Sequence, residues 1–366
     1  MGVPKLWQIL SPAAENRSLL HLATTEGFQT DRRHQRTFIV GVDISIKIEA
    51  FVAALTAARV YHPGSGGQKL VLEKFYYYLH NLCLAPVTYV CCLDGRGRPG
   101  IKRGTRVIYR SMPLVEDLKT MIRSFGFYVH EAPGEAEAEL AQLNANGTID
   151  AILTEDSDTF VFGALCVIRT VGGPSVEEES LVYTPESIAK LGLDTDSIFL
   201  CALLLGGDYG AGPQGAGPTI AQALAAQGFG RSLARILLSF DGFELNQHLA
   251  LWRQDLRQEL RTNSSGQLDR RQPMLASNIP DDFPNVAIAR LYLRPLTSMS
   301  PGFTGRLPDS SSWKPTSPNI TELSRFCSTH FGWTGEYLLK KFNSNLWPGI
   351  AFKLISSVRD IELLST

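Results

Sequence analysis

Along the first two hundred residues, short β-branched apolar runs alternate with longer stretches of helical periodicity. TFIVGVD at 37–43 and PVTYVCCL at 86–93 read as buried strands, because continuous apolar runs of that length suit a sheet covered on both faces. Residues 127–130 and 149–153 read as two more, with shorter strands at 166–169 and 181–183 around a Gly/Pro turn. Residues 44–59, 68–82, 112–125 and 135–143 between them read as helices. This alternation predicts an α/β fold with a mostly parallel twisted sheet flanked by helices. Beyond residue 184 the pattern turns helical, over 185–191, 197–205, 218–226, 249–260, 320–331 and 334–342. Residues 11–36 read as polar and irregular, and the Ser/Pro/Gly-rich stretches 262–285 and 297–319 as long loops. Tyr76, Tyr77 and Tyr78 read as part-buried core against the sheet rather than as a platform for stacked bases.

Acids stand at the ends of these elements. The first strand closes on Asp43 and the second on Asp94. Pro133 and Gly134 break the chain before a helix whose first turn carries Glu135 and Glu137, where the helix dipole tolerates negative charge. The turn after strand 149–153 carries Glu155, Asp156 and Asp158, and Asp208 follows an apolar helix. In open α/β sheets chemistry collects at the carboxyl ends of strands, so these positions can converge. Converging carboxylates repel unless cations sit between them, and hard oxygen donors select Mg²⁺ or Mn²⁺. Two such ions roughly 3.5–4 Å apart clamp a phosphodiester for in-line attack by water. The blander alternatives are a solvated acidic helix face, an Asp-rich turn, and Asp43 as a helix cap.

Composition narrows the class. The chain has 366 residues, 44% of them hydrophobic and 19% charged, which makes it globular. No long uncharged apolar run predicts a membrane helix, and MGVPKLWQIL has neither a basic signal region nor a myristoylation pattern, so the chain reads as intracellular. The six cysteines form no C-x-x-C and read as reduced core residues, neither zinc ligands nor a disulfide framework. Net charge is −1, but Arg96, Arg98, Lys102, Arg103, Arg106 and Arg110 form a basic segment without an acid. Acids in one cluster beside bases in another suit a metal nuclease facing DNA; a solvated loop is the alternative. Residues 210–217 lack the Lys-Ser/Thr ending of a P-loop. Their glycine turns suit backbone groups approaching a phosphate or a monovalent cation, or a plain interhelix loop.

Taken together, MGVPKLWQIL, the strand ending on Asp43, Leu93-Asp94-Gly95, APGEAEAEL to Leu140, TEDSDTFVFG to Gly163 and LLLGGDYGAGPQGAGP to Pro218 resemble the flap endonuclease/XPG structure-specific nuclease family. The resemblance covers roughly the first 230 residues. It implies a PIN-like domain over 1–205, a helix–two-turn–helix DNA-binding region over 206–260, and a mostly helical, loop-rich extension over 261–366. It implies two Mg²⁺ ions, replaceable by Mn²⁺, held by Asp43, Asp94, Glu135, Glu137, Asp156, Asp158 and Asp208, and a K⁺ at the glycine turns. The family's catalytic lysine falls on Lys102 and its arginine on Arg106 or Arg110. DNA contacts are implied at Gly2, Arg96, Arg98, Lys102, Arg103, Arg106 and Arg110, and at Gly210, Gly212, Gly215 and Gly217.

Only about ten residues separate Lys102 from the helix at Met112, too few for a cap through which a flap threads. In this respect the chain resembles the GEN/Yen-type Holliday-junction resolvases, most closely the fungal ones, in which a chromodomain follows the nuclease core. The chain reads as ending ahead of one. The implied activity is paired symmetric nicking of four-way junctions by a homodimer on DNA, monomeric when free, with 5′-flap cleavage besides, in the nucleus. A flap or bubble endonuclease acting as a monomer, a catalytically silent scaffold and a PIN-type ribonuclease are the alternatives. Lys47 and Glu49 depart from the family, whose members carry an aromatic there.

Overall fold

A computed structural model describes residues 2–30, 37–60, 65–102, 105–106, 112–170, 180–305, 307–351 and 353–354. Its strands are β1 (Glu15–Arg17), β2 (Phe38–Asp43), β3 (Val87–Leu93), β4 (Ile101–Lys102), β5 (Thr105–Arg106), β6 (Tyr128–Glu131), β7 (Ala151–Leu153), β8 (Val167–Thr170) and β9 (Ser180–Tyr183). Seven of them form one sheet in the order β1-β9-β8-β7-β2-β3-β6, and β4 and β5 pair as a separate ribbon. The five strands from β8 to β6 run parallel, and β9 and β1 add an antiparallel edge.

Both faces of the sheet are covered, which is why the central strands read as continuous apolar runs. Along β2, Ile39 turns to one core while Phe38, Val40 and Val42 turn to the other. Along β3, Val90 and Cys92 oppose Val87, Tyr89, Cys91 and Leu93 in the same way. The first core is closed by helices Leu6–Leu10, Ala136–Ala145, Thr195–Leu205 and Pro218–Ala226, the second by Ile44–Ala57, Ser65–Leu82, Met112–Ser124 and Ile320–Phe331. Tyr76 and Tyr78 are buried in the second core and Tyr77 packs on Trp333, in line with the packing role expected of them. All six cysteines are free, and five are buried. Among the described residues no helix is long and apolar enough to cross a membrane.

Two expectations need correction. Residues 11–30 are not merely irregular, and 31–36 lie outside the described residues: Glu15–Arg17 pairs antiparallel with β9, and helical turns follow at Leu19–Leu22 and Ala23–Gln29. A polar three-residue edge strand has no apolar alternation to betray it. The stretch 262–285 contains the helix Pro273–Asn278, whereas 297–319 is the long loop expected, apart from one turn at Ser310–Ser312, and packs Thr297, Ser298 and Trp313 into the protein.

Candidate active site

The site begins with strand register. Asp43 lies beside Cys92, and Val42 pairs with both Cys91 and Leu153, so the carboxyl ends of β2, β3 and β7 lie level. Asp43, Asp94 and the turn bearing Asp156 and Asp158 therefore leave the sheet together. Asp43 also caps the next helix, accepting the Ile46 N–H at 3.1 Å, so the structural role that its position suggested is present as well. Asp94 accepts the Ala136 N–H at 2.9 Å and thereby caps a helix remote in sequence, while the Arg98 guanidinium pairs with its other oxygen. Glu135 precedes that helix as its N-cap residue, without capping it itself, so only Glu137 of the expected pair lies in its first turn.

Lys102 enters this acidic group from the β4–β5 ribbon. Its ammonium pairs with Glu135, lies 3.0 Å from Glu137 and 3.7 Å from Asp208. The tyrosine next to Asp208, Tyr209, donates its hydroxyl to the other Glu135 oxygen. On the far side, Val3 N–H donates to Asp158 at 2.5 Å, Ser157 Oγ donates to the Val3 carbonyl at 3.3 Å, and Asp158 N–H donates to Asp156 at 3.0 Å. Gly2 has φ +83°, and a Cβ there would lie 2.0 Å from Asp156 Oδ1. Glycine is required on both counts.

Burial and mutual repulsion load the cluster with proton affinity. Burial, and next to it the Asp94 carboxylate, push Asp43 up to about 8. Burial and the Asp156 carboxylate hold Glu137 well above the usual range, and burial with Asp156 and Asp208 does the same to Asp158. Burial also raises Asp156. Burial opposes the charge on Lys102, yet Glu137 and Glu135 outweigh it and hold the ammonium above its ordinary range. Glu137, Asp158 and Asp208 are all nearly inaccessible, and Asp158 Oδ2 is buried without a hydrogen-bond donor among the described residues.

The seven acids thus come to one end of the sheet, but not as one open cage. Among the described residues, no group of three or more is set to hold a metal ion as it stands. The Lys102 ammonium fills the space among Glu135, Glu137 and Asp208, and Arg98 and a backbone N–H take up Asp94. The donor chemistry nevertheless fits hard divalent ions: every side-chain donor is a carboxylate, and one buried oxygen lacks a partner.

Of the basic segment, Arg96 is exposed while Arg98 is turned inward onto Asp94. Residues 103–104 and 107–111, including Arg103, Arg110 and the expected short cap, lie outside the described residues, as does the side chain of Arg106. The glycine segment folds back on itself, with Gly207 N–H donating to the Gly210 carbonyl at 2.9 Å. A Cβ on Gly212 would lie 2.0 Å from the Leu204 carbonyl. Gly215 has positive φ near Leu275, and Gly217 caps the Pro218–Ala226 helix.

Sequence reasoning missed the groups that orient the acids. Ser45 Oγ accepts the Asp94 N–H at 2.9 Å, Thr154 Oγ1 accepts the Asp156 N–H at 3.0 Å, and the Tyr292 ring packs on that of Tyr209. Lys47 also finds an explanation: its ammonium pairs with Glu155 at 3.0 Å and lies over the Tyr78 ring.

The family model of the XPG I-region matches residues 126–208, which carry five of the seven acids. DNA repair protein RAD2 of Saccharomyces cerevisiae is 29% identical over 231 residues, covering 62% of this chain and 20% of that protein. Human flap endonuclease GEN homolog 1 is 30% identical over 231 residues, covering 57% of this chain and 23% of the relative. The chain spans about a fifth of the length of these curated relatives. A solved eukaryotic junction-resolving enzyme GEN-1 superposes with a TM-score of 0.73 at 29% identity, over 96% of this chain and 79% of that one. The catalytic core of Rad2 in complex with DNA substrate gives a TM-score of 0.66 at 25% identity, over 93% and 99%. The PIN-like α/β architecture expected from the sequence is that of these nucleases, and the chain resembles the XPG/flap endonuclease family, whose I-region it carries at residues 126–208.

Proposed function

We propose that this chain is a Mg²⁺-dependent structure-specific DNA endonuclease that resolves four-way junctions by paired symmetric nicks and also cuts 5′ flaps. The observation that carries the reading is the convergence of acids from five separate segments around the Lys102 ammonium at the carboxyl end of the sheet. Support for ion binding comes from a similar enzyme, GEN1, solved in complex with product DNA and Mg²⁺. Two divalent ions, when bound, would supply an activated water and neutralise the phosphate.

Asp43, Asp94, Glu135, Glu137, Asp156, Asp158 and Asp208 would hold those ions directly or through waters. Lys102 and Arg106 are the charges assigned to the phosphate in the transition state. Asp43 and Asp158, high in proton affinity when empty, ionise against that divalent charge. The glycine turn at 206–212 is the site assigned to duplex backbone, with K⁺ between; solved GEN-1 structures with Cs⁺, Na⁺ and K⁺ support a monovalent ion in this family. The chain acts as a dimer on the junction and in the nucleus.

The likeness to human flap endonuclease GEN homolog 1 favours a second reading, a flap or bubble endonuclease, which would act as a monomer. Cut sites on a sealed four-way junction and on a nicked 5′ flap, compared in Mg²⁺, separate the two. Symmetric nicks in the junction support resolution. Rapid flap cleavage with an intact junction supports the second reading, and no cleavage of either overturns both.

A further inference from the structure

Glu139 is fully buried, and it is not one of the seven acids of the site. It stands one helical turn after Glu135, on the same side of the Ala136–Ala145 helix, yet its carboxylate faces elsewhere. Ser298 N–H donates to one oxygen at 2.7 Å, and Ser298 Oγ donates to the other at 2.5 Å. His130 Nε2, on edge strand β6, lies 2.8 Å from that second oxygen. The clamp reaches the metal-facing end of the helix directly, because the Glu139 N–H donates to the Glu135 carbonyl at 3.1 Å.

The segment around Ser298 also sits on the two loops that deliver acids. A Cβ added at Gly134 would lie 2.6 Å from the Leu296 carbonyl, and one at Gly97 would lie 2.4 Å from Leu296 Cδ2. Those loops are tied to each other by Gly95 N–H donating to Gly134 and Gly97 N–H donating to Pro133, at 2.7 and 2.9 Å. The segment is itself stiffened, since Thr297 N–H donates to Ser300 Oγ at 2.8 Å and Ser300 Oγ to the Pro295 carbonyl at 3.0 Å.

We infer that residues 295–300 are a strap that sets the spacing between Asp94 and Glu135, with Ser298, acting through Glu139, as a positioning residue for the divalent site. The inference rests on the metal-dependent reading proposed above. Groups that orient metal ligands from behind are worth about 10- to 100-fold in metal affinity. The experiment is calorimetric titration of Ca²⁺ into the full chain without DNA, well below its melting temperature, beside thermal unfolding. Ser298→Ala and Glu139→Gln are expected to weaken Ca²⁺ affinity by about tenfold or more. Ser298→Thr, which keeps the hydroxyl, and Met299→Ala, at an exposed neighbour, are expected to stay close to wild type. Variants that melt earlier but bind Ca²⁺ as the wild type does would reduce the strap to a purely structural role and overturn the inference. A wild type that binds no divalent ion would overturn the metal reading itself, and the inference with it.

Discussion

Lys102 gives the clearest case of one side chain with two tasks in conflict. Its ammonium stands among three carboxylates, where it offsets their repulsion in the metal-free protein. A dication about 4 Å from that ammonium would be repelled by about 8 kcal/mol at an effective dielectric of 20, so the two exclude each other. Lys102→Met is therefore expected to bind Mn²⁺ more tightly than wild type in calorimetry without DNA, by about tenfold, while its nicking rate falls; unchanged affinity would refute the competition. Asp43 offers a second test. Its carboxyl ionises near 3.8 in the unfolded chain and is raised to about 8 in the fold. The folded state therefore holds the extra proton, and the stability this contributes is complete below about pH 4 and lost as pH rises through 8. Asp43→Asn keeps an acceptor for the Ile46 N–H and removes the titration. Without divalent ions it is expected to match wild type below about pH 4 and exceed it increasingly up to pH 8 in urea unfolding, with Ca²⁺ closing the gap. The same variant is expected to bind junctions and cut none. The acids were legible in sequence because each stands where a strand or helix begins or ends, a boundary that periodicity marks. Ser45, Tyr209, Glu139 and Ser298 were not, because what identifies them is a partner distant along the chain.

Elements rather than single residues explain why the first few amino acids matter. Helix Leu6–Leu10 buries Leu6, Ile9 and Leu10 in the core, which draws Gly2 and Val3 onto the Asp156–Asp158 turn. Gly2→Ala would combine backbone strain with a collision against a carboxylate. Gly147, also at positive φ but with open space around its Cβ position, isolates the strain alone. Gly147→Ala is expected to lose about 1–2 kcal/mol in urea unfolding with nicking intact. Gly2→Ala is expected to lose nicking by at least about tenfold as well, because it displaces the turn that carries two of the proposed ligands. Equal nicking by the two variants would show that the N-terminus is only packing. At this scale the central strands could be read from the sequence, since burial on both faces leaves an uninterrupted apolar signal. Edge strand β1 could not, because residues at the rim of a sheet need no such signal. The strap at 295–300 was hidden by composition, since Ser, Thr and Pro mark a loop whether it lies in water or, as here, against the core.

For the molecule as a whole, geometry constrains how a junction can be processed. The chain brings its acids to one place, at one end of one sheet, and such a centre cuts one strand at a time. Two symmetric cuts therefore need two copies on one junction, each with its own acids. A supercoiled plasmid extruding a cruciform distinguishes the cases, because relaxation after a single nick reabsorbs the junction and removes the substrate. Paired action by two bound copies converts the plasmid to linear product before it relaxes, whereas a lone copy leaves nicked circles. At protein concentrations that saturate the junction, linear product is expected to dominate; at limiting protein, nicked circles. Mixing wild type with an equal amount of Asp43→Asn should place an inactive partner on about half the junctions, so nicked circles should rise at the expense of linear product without loss of binding. Linear product that falls only in proportion to the wild-type protein present, with no gain in nicked circles, would mean that one chain makes both cuts, and the dimer would have to be abandoned.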